Sequence, residues 1–326
     1  MHNNDDTALS LRNRGLTALP DTLVHLTDLQ QLDVTGNAVA ALPSSPGNLL
    51  QLKKLYLDDN ALTALPPWFG DMQHLEEFHI DGNRLATLPE NIGQLSNLKI
   101  LSAYHNRLAS LPASLTDLIG LRELSLGGNQ LTALPESLWR LTNLRLLNIA
   151  ENRLSTLSEH IGDLTQLVTL DIAHNELTVL PDSLGNLKNL MYYLYLSNNR
   201  LTTLPGSLGN LSNLRYLNAT DNQLTTLPAT LGNLASLKEL RLYNNRLTVL
   251  PNSLGNLSNL KELHTQNNQL TALPTSLGNL TRLRKLVLSN NRLKTLPASL
   301  GNLTHLTVLD LRNNALIALP ESMGNL

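Results

Sequence analysis

Eleven side chains suited to molecular recognition recur at regular steps along this sequence: Tyr56, Asp58, His79, Asp81, Tyr104, Tyr193, Tyr195, Tyr216, Arg241, Tyr243 and His264. Ten of them, all but Tyr104, fall into two neighbourhoods. Asp33, Asp58, Asp59, Glu77 and Asp81 surround Tyr56 and His79 in the N-terminal third, an acidic region suited to a basic patch on a partner. Tyr193, Tyr195, Tyr216, Arg241, Tyr243 and His264 make an aromatic and polar region further on. Tyr gives rigid, amphipathic contact area of the kind that protein-binding surfaces favour. A plainly solvated polar surface accounts for the same residues, because outward positions must hold something hydrophilic. His79 with Asp58 and Asp81 has the donor types for a divalent cation, since stacked parallel strands bring such groups within about 5 Å. Nothing in the pattern buries the trio or supplies outer hydrogen bonds, so no metal site is assigned.

Catalytic constellations are missing. The sequence has no GxSxG, no GxxxxGK[ST], no HExxH and no paired His/Cys set. With Cys 0 there is no thiolate nucleophile, no disulfide framework and no Cys-ligated zinc. We assign no catalytic residue and no cofactor, and read the chain as a non-enzyme. Lys+Arg 24 against Asp+Glu 26, with no long basic run, argues against broad phosphate-backbone binding and hence against nucleic acid. The opening Met1-His2-Asn3-Asn4-Asp5-Asp6 lacks an apolar signal region, and no stretch of about 18 apolar residues predicts membrane insertion. A soluble, reducing compartment fits.

Something must hold the recognition residues in rows, and the composition says what. Of 326 residues, 84 are Leu and 38 are Asn, against Phe 2 and Trp 2. An ordinary core mixes apolar shapes to fill irregular gaps, so this chain repeats one packing solution. The unit is LxxLxLxxNxLxxLPxxLGNLxx. Its Asn recurs at 37, 60, 83, 106, 129, 152 and 175, then at 199, 222, 245, 268, 291 and 314, a step of 23 with a single step of 24. Arg14 holds the first such slot, which makes about fourteen coils. The xLxLx segment alternates with period two, as a strand with one buried face does. A buried Asn after it can donate to and accept from backbone groups of its own and neighbouring coils. Pro follows LxxL in all coils but the one with Ser158, and fixes φ so that the strand direction ends. Gly in LGNL, replaced at Val24, Thr116 and Trp139, is expected to allow a tight return on the outer side.

The core does not dictate the outward strand slots. The slot between the two strand Leu runs Ser10, Asp33, Tyr56, His79, Ser102, Ser125, Asn148, Asp171, Tyr195, Asn218, Arg241, His264, Val287, Asp310. Counting the second outward slot and the residues just before the strands, six of the Tyr 7 lie on this face. A third row, including Arg153, Glu176 and Arg200, follows the Asn and is read as surface ion pairing, each pair contributing about 0–1 kcal/mol. Trp139 is read as an exposed side chain, either a contact on the outer side or packed on its neighbouring coil. The Asn-Leu-Ser/Thr sequons at Asn210, Asn256, Asn279 and Asn302 are by-products of LGNL. The surplus residue within Leu190-Met191-Tyr192-Tyr193-Leu194 is expected to bulge just before its strand.

This pattern resembles the leucine-rich repeats, in the intracellular 23-residue form with an LP step, from Leu9 to Leu326. The resemblance implies an α/β solenoid: a right-handed horseshoe with a parallel β-sheet on the concave face and mostly irregular or 3₁₀ segments on the convex one. It implies one domain, 1–326, with 1–8 as a minimal N-terminal cap and no obvious C-terminal cap, and a sheet roughly 60 Å long. The uncapped ends suggest a fragment of a longer protein, or ends that pair, giving a monomer or a weak end-to-end dimer. By resemblance the function is non-catalytic recognition of a protein partner on the concave face. Arrays of this kind are similar to the repeat domains of injected (type III) bacterial effectors, which act in the host cytosol. Some of those carry a ubiquitin-ligase domain that is not visible here. The alternatives are the substrate-recognition part of such a ligase, or a cytoplasmic signalling scaffold.

Overall fold

Each coil of the chain contributes a strand only three residues long, and the strand persists because the next coil repeats it in register. The computed structural model describes residues 7–326; most of the expected N-terminal cap lies outside them. The chain divides into two compact units, Met1–Leu154 and Ser155–Leu326. The first holds β1 (Ala8–Ser10), β2 (Gln31–Asp33), β3 (Lys54–Tyr56), β4 (Glu77–His79), β5 (Ile100–Ser102), β6 (Glu123–Ser125) and β7 (Leu146–Asn148). The second holds β8 (Thr169–Asp171), β9 (Tyr193–Tyr195), β10 (Tyr216–Asn218), β11 (Glu239–Arg241), β12 (Glu262–His264), β13 (Lys285–Val287) and β14 (Val308–Asp310). Within each unit consecutive strands are parallel and Leu stacks on Leu, as in Leu32↔Leu55, Leu101↔Leu124 and Leu217↔Leu240. The return segments are five-residue 3₁₀ turns such as Gly206–Asn210. Helices of any greater length are absent among the described residues.

Local chemistry ends each strand and starts each turn. Pro205 sits at φ −65° and ψ 143°, and its carbonyl accepts from Leu208 N at 3.2 Å, which closes the first 3₁₀ bond. Where Ser158 replaces Pro, its hydroxyl accepts from His160 N at 3.3 Å and caps the turn instead. The residue before the ladder position is left-handed in coil after coil, at φ 53° in Asp221, 54° in Asn244 and 55° in Asn267. Short polar side chains and Gly tolerate that conformation best.

Within each unit the ladder is formed. The Nδ2 of Asn222 donates to Leu196 O at 2.9 Å and to Thr220 O at 3.0 Å, while its Oδ1 accepts from Leu201 N at 3.0 Å. Asn106 and Asn268 repeat the arrangement. One amide thus satisfies backbone groups of its own coil and the one before, in a place water does not reach.

Two sequence readings change in detail. Most glycines of this slot do not serve a special turn conformation: Gly185, Gly209 and Gly232 carry no positive φ, and Gly47, at φ 48°, is an exception. Their role is close approach, since a Cβ on Gly209 would lie 2.3 Å from Thr230 O of the next coil. Trp139 is buried rather than exposed, at 4%, which favours packing on its neighbours over a free contact. The surplus residue bulges where expected. Met191 N and Tyr192 N both donate to Val168 O, and Arg215 N turns to Met191 O at 2.9 Å, so Tyr192 is left over and exposed. Both phenylalanines are core residues of the first unit, Phe69 against Phe78 with ring centroids 4.7 Å apart.

Candidate functional site

In the first unit β3 and β4 set Tyr56 and His79 side by side, with ring centroids 5.0 Å apart and 30° between planes. The Tyr56 hydroxyl donates to Glu77 at 2.8 Å, and Lys54 holds the same carboxylate at 2.7 Å. Burial, followed by that bond to Glu77, pushes the Tyr56 phenol up to about 12. Burial acts to raise Glu77, but Lys54 and the Tyr56 hydroxyl outweigh it and bring the carboxyl below its ordinary value. One coil lies between those of Tyr104 and Glu151, yet the Tyr104 hydroxyl reaches that carboxylate at 2.6 Å.

Asp58, His79 and Asp81 do come together, with ligand-type atoms within 4.8 Å of one another, so by distance these three are the residues that could hold a metal ion. Contrary to the sequence reading, outer partners exist. Asp81 accepts from the Ser102 hydroxyl at 2.7 and 2.9 Å and from Tyr104 N at 2.6 Å, and Asp58 accepts from Asp81 N at 2.8 Å. These bonds occupy much of the lone-pair capacity of Asp81 and tie neighbouring strands together. Burial is the main cause that raises the Asp58 carboxyl, and the Asp81 charge adds to it. Asp33, read as part of an open acidic region, is 8% exposed and paired with Arg12 at 3.1 Å.

In the second unit the bulge and β9–β10 gather three rings. Tyr193 stacks on Tyr195 at 5.4 Å and 7°, and Tyr216 meets both edge-on at 5.4 and 5.6 Å. The Arg241 guanidinium lies over Tyr216 at 5.2 Å from the centroid. Burial, then the Glu239 charge, raises the Tyr216 phenol; burial likewise raises Tyr195. Tyr193 stays exposed while Tyr195, Tyr216 and Tyr243 are half-buried, so the cluster presents a firm, partly apolar face. His264 does not belong to that open face. It is 7% exposed and sits between Glu262 at 3.0 Å and Glu239 at 3.9 Å, where it braces carboxylates. Arg241 Nε donates to the same Glu239 oxygen, Oε1, at 2.5 Å. Glu239, Glu262 and His264 are a second close group of potential ligand atoms, which the sequence reading did not assemble because two of its members sit in a slot it did not follow.

The slot one residue earlier holds a further set. Arg215, Lys238, Lys261 and Arg284 are exposed, each immediately before its strand, β10 to β13. The near-neutral total had hidden them: from residue 188 to 309 the sequence has twelve Lys or Arg and three acids. A tally of charge along the chain, rather than over it, is the signal that finds them.

The rows of ladder Asn, the strand register and the 3₁₀ returns are matched by sequence families. The leucine-rich repeat region matches residues 121–212 and 205–288, leucine-rich repeats in two copies match 281–322, and a leucine-rich repeat matches 50–108. A leucine-rich repeat protein of Leptospira interrogans is 36% identical over 97% of this chain and 86% of its own, with a TM-score of 0.90. The chain belongs to the leucine-rich repeat family. Other solved structures resemble it at greater distance. YopM from Yersinia enterocolitica is 28% identical over 97% of this chain and 71% of its own, with a TM-score of 0.62. The plant peptide hormone receptor RGFR1, in complex with RGF2, is 30% identical over 98% of this chain and 57% of its own, with a TM-score of 0.77. No curated protein matches the sequence. Repeats of this family are typically binding scaffolds rather than catalysts. No helix among the described residues is long and apolar enough to cross a membrane.

Proposed function

We propose that this leucine-rich repeat protein is a non-catalytic recognition module whose sheet face takes a protein partner. The observation that carries the reading is the Tyr193, Tyr195 and Tyr216 cluster. Three mutually packed rings with Arg241 over one of them stand on slots the Leu core leaves free. Such rings lose little side-chain freedom on binding, which is what makes Tyr and Arg effective anchors. Tyr56, His79, Asp58, Asp81 and Tyr104 extend the face in the first unit, and Arg241 and Tyr243 in the second. His264 supports Glu239 and Glu262 from below. The whole chain, 1–326, acts as one solenoid of about fourteen coils, monomeric or weakly paired end to end, and needs no cofactor.

The likeness to YopM and the Leptospira protein supports a bacterial setting. In that setting the chain is the target-binding part of an injected effector that works in the host cytosol. Tyr195→Ala combined with Tyr243→Ala tests the face. A partner isolated from host lysate should bind this variant about tenfold or more weakly, the loss of two anchors, with the unfolding midpoint unchanged. Unchanged affinity overturns the placement. Robust ubiquitin transfer by these residues alone would overturn the non-enzyme reading.

A further inference from the structure

We propose that Arg215, Lys238, Lys261 and Arg284 form a docking row for an extended acidic segment of a polypeptide. The four are joined through their backbones: Lys238 N donates to Arg215 O, Lys261 N to Lys238 O and Arg284 N to Lys261 O, each at 2.8 Å. Successive cations are therefore one strand spacing apart, about 4.8 Å, and the row is roughly 14 Å long. An extended chain of about five residues covers that length. All four side chains are exposed. Among the described residues none has a carboxylate within ion-pairing distance.

The unpaired state of these cations is unexpected, because two acids stand next to them in the chain. Glu239 follows Lys238 and Glu262 follows Lys261. Both carboxylates turn the other way, Glu239 to Arg241 at 2.5 Å and Glu262 to His264 at 3.0 Å. In the first unit the equivalent slot is interrupted by an acid, Glu76, which pairs with Lys99. The second unit thus keeps a line of positive charge that its own acids leave uncompensated.

The occupant follows from the surroundings. Glu239 and Glu262 lie one residue inside the row and oppose a continuous phosphate backbone, whereas a peptide places its carboxylates one at a time. The Arg215 guanidinium lies 6.0 Å from the exposed Tyr192 ring centroid, so the end of the row offers ring surface to side-chain carbon. The inference rests on the function proposed above only in taking the occupant to be a polypeptide.

The test uses the full chain and three labelled probes at low salt, read by fluorescence anisotropy: a peptide of alternating Glu and Ser, its Gln and Ser counterpart, and a single-stranded oligonucleotide. The Glu peptide should bind, and the Gln peptide should not. Lys238→Glu with Lys261→Glu should weaken the Glu peptide about tenfold or more, while Arg292→Glu with Lys294→Glu changes it less than about threefold. Circular dichroism verifies that both variants stay folded. Failure of the Glu peptide to bind, an equal loss in the control variant, or tighter binding of the oligonucleotide overturns the proposal. The Tyr195→Ala, Tyr243→Ala chain separates the two ideas. If it keeps the peptide and the Lys238, Lys261 reversal loses it, the row stands even where the tyrosine placement fails.

Discussion

Replacing Asn222 by Ala probes the ladder in the interior of the second unit. The substitution removes the acceptor for Leu201 N at 3.0 Å and the donor for Leu196 O at 2.9 Å, and both backbone groups belong to buried residues. Each buried group left without a partner costs about 1–3 kcal/mol, so the loss should be about 2–5 kcal/mol. Asn213 makes a single exposed bond, Nδ2 to Lys188 O at 2.9 Å, and Asn213→Ala should cost under about 1 kcal/mol. Asn222→Asp sharpens the test. A carboxylate can still accept from Leu201 N but faces Leu196 O and Thr220 O with no proton to donate. Burial raises its folded pKa above the free value of about 3.9, so the variant loses stability progressively as pH rises from there, and approaches the parent in acid. Urea unfolding followed by circular dichroism reads the midpoints, and repeat arrays that unfold in steps are compared by the transition of the affected coils. A loss below about 1 kcal/mol for Asn222→Ala, or one equal to that of Asn213→Ala, would refute the assignment of the ladder as the buried hydrogen-bond frame.

Two further substitutions test packing and charge. Gly209→Ala puts a Cβ 2.3 Å from Thr230 O and should lower stability by about 1–3 kcal/mol. Gly206→Ala in the same turn meets nothing closer than 3.7 Å and should be neutral or slightly stabilising, so equal midpoints for the two would contradict the close-approach account. Asp58→Asn should raise the unfolding midpoint at neutral pH, because burial lifts the folded carboxyl and makes its ionisation a cost as pH rises. Below about pH 4 the gain should vanish; a gain that persists in acid would show that charge is not its source.

The sequence exposes the fold almost completely, because the repeat makes each coil a copy of a testable statement. Leu at fixed slots gives the buried face, Asn the ladder and Pro the strand end, and fourteen instances average out local noise. The reading failed where a residue type has two physical uses. Gly in LGNL was assigned to conformation, but at Gly209 and Gly185 the φ is ordinary and the limit comes from Thr230 or Ser207 of the next coil, a contact between residues more than twenty positions apart. Trp139 in a small-residue slot looked exposed, yet its ring is covered by its surroundings. The site was legible as rows but not as pairings. That His264 is buried between two Glu, or that Tyr104 reaches Glu151, depends on rotamers that spacing leaves undetermined. The unpaired cations escaped notice because the charge of the whole chain sums nearly to zero.

The bond offsets of the ladder carry a consequence for how such a chain changes length. Asn245 reaches back 26 residues to Ala219 O and receives Leu224 N from 21 residues before it, as Asn268 does with Leu242 and Leu247. Remove one whole repeat between equivalent points and every severed donor finds the same acceptor, presented by the coil that takes the lost one's place. Recombination between repeats of one gene therefore yields shorter or longer solenoids whose interior needs no repair. What such an event alters is only the sequence of outward residues, so a rearranged gene offers a new surface on an intact frame in a single step.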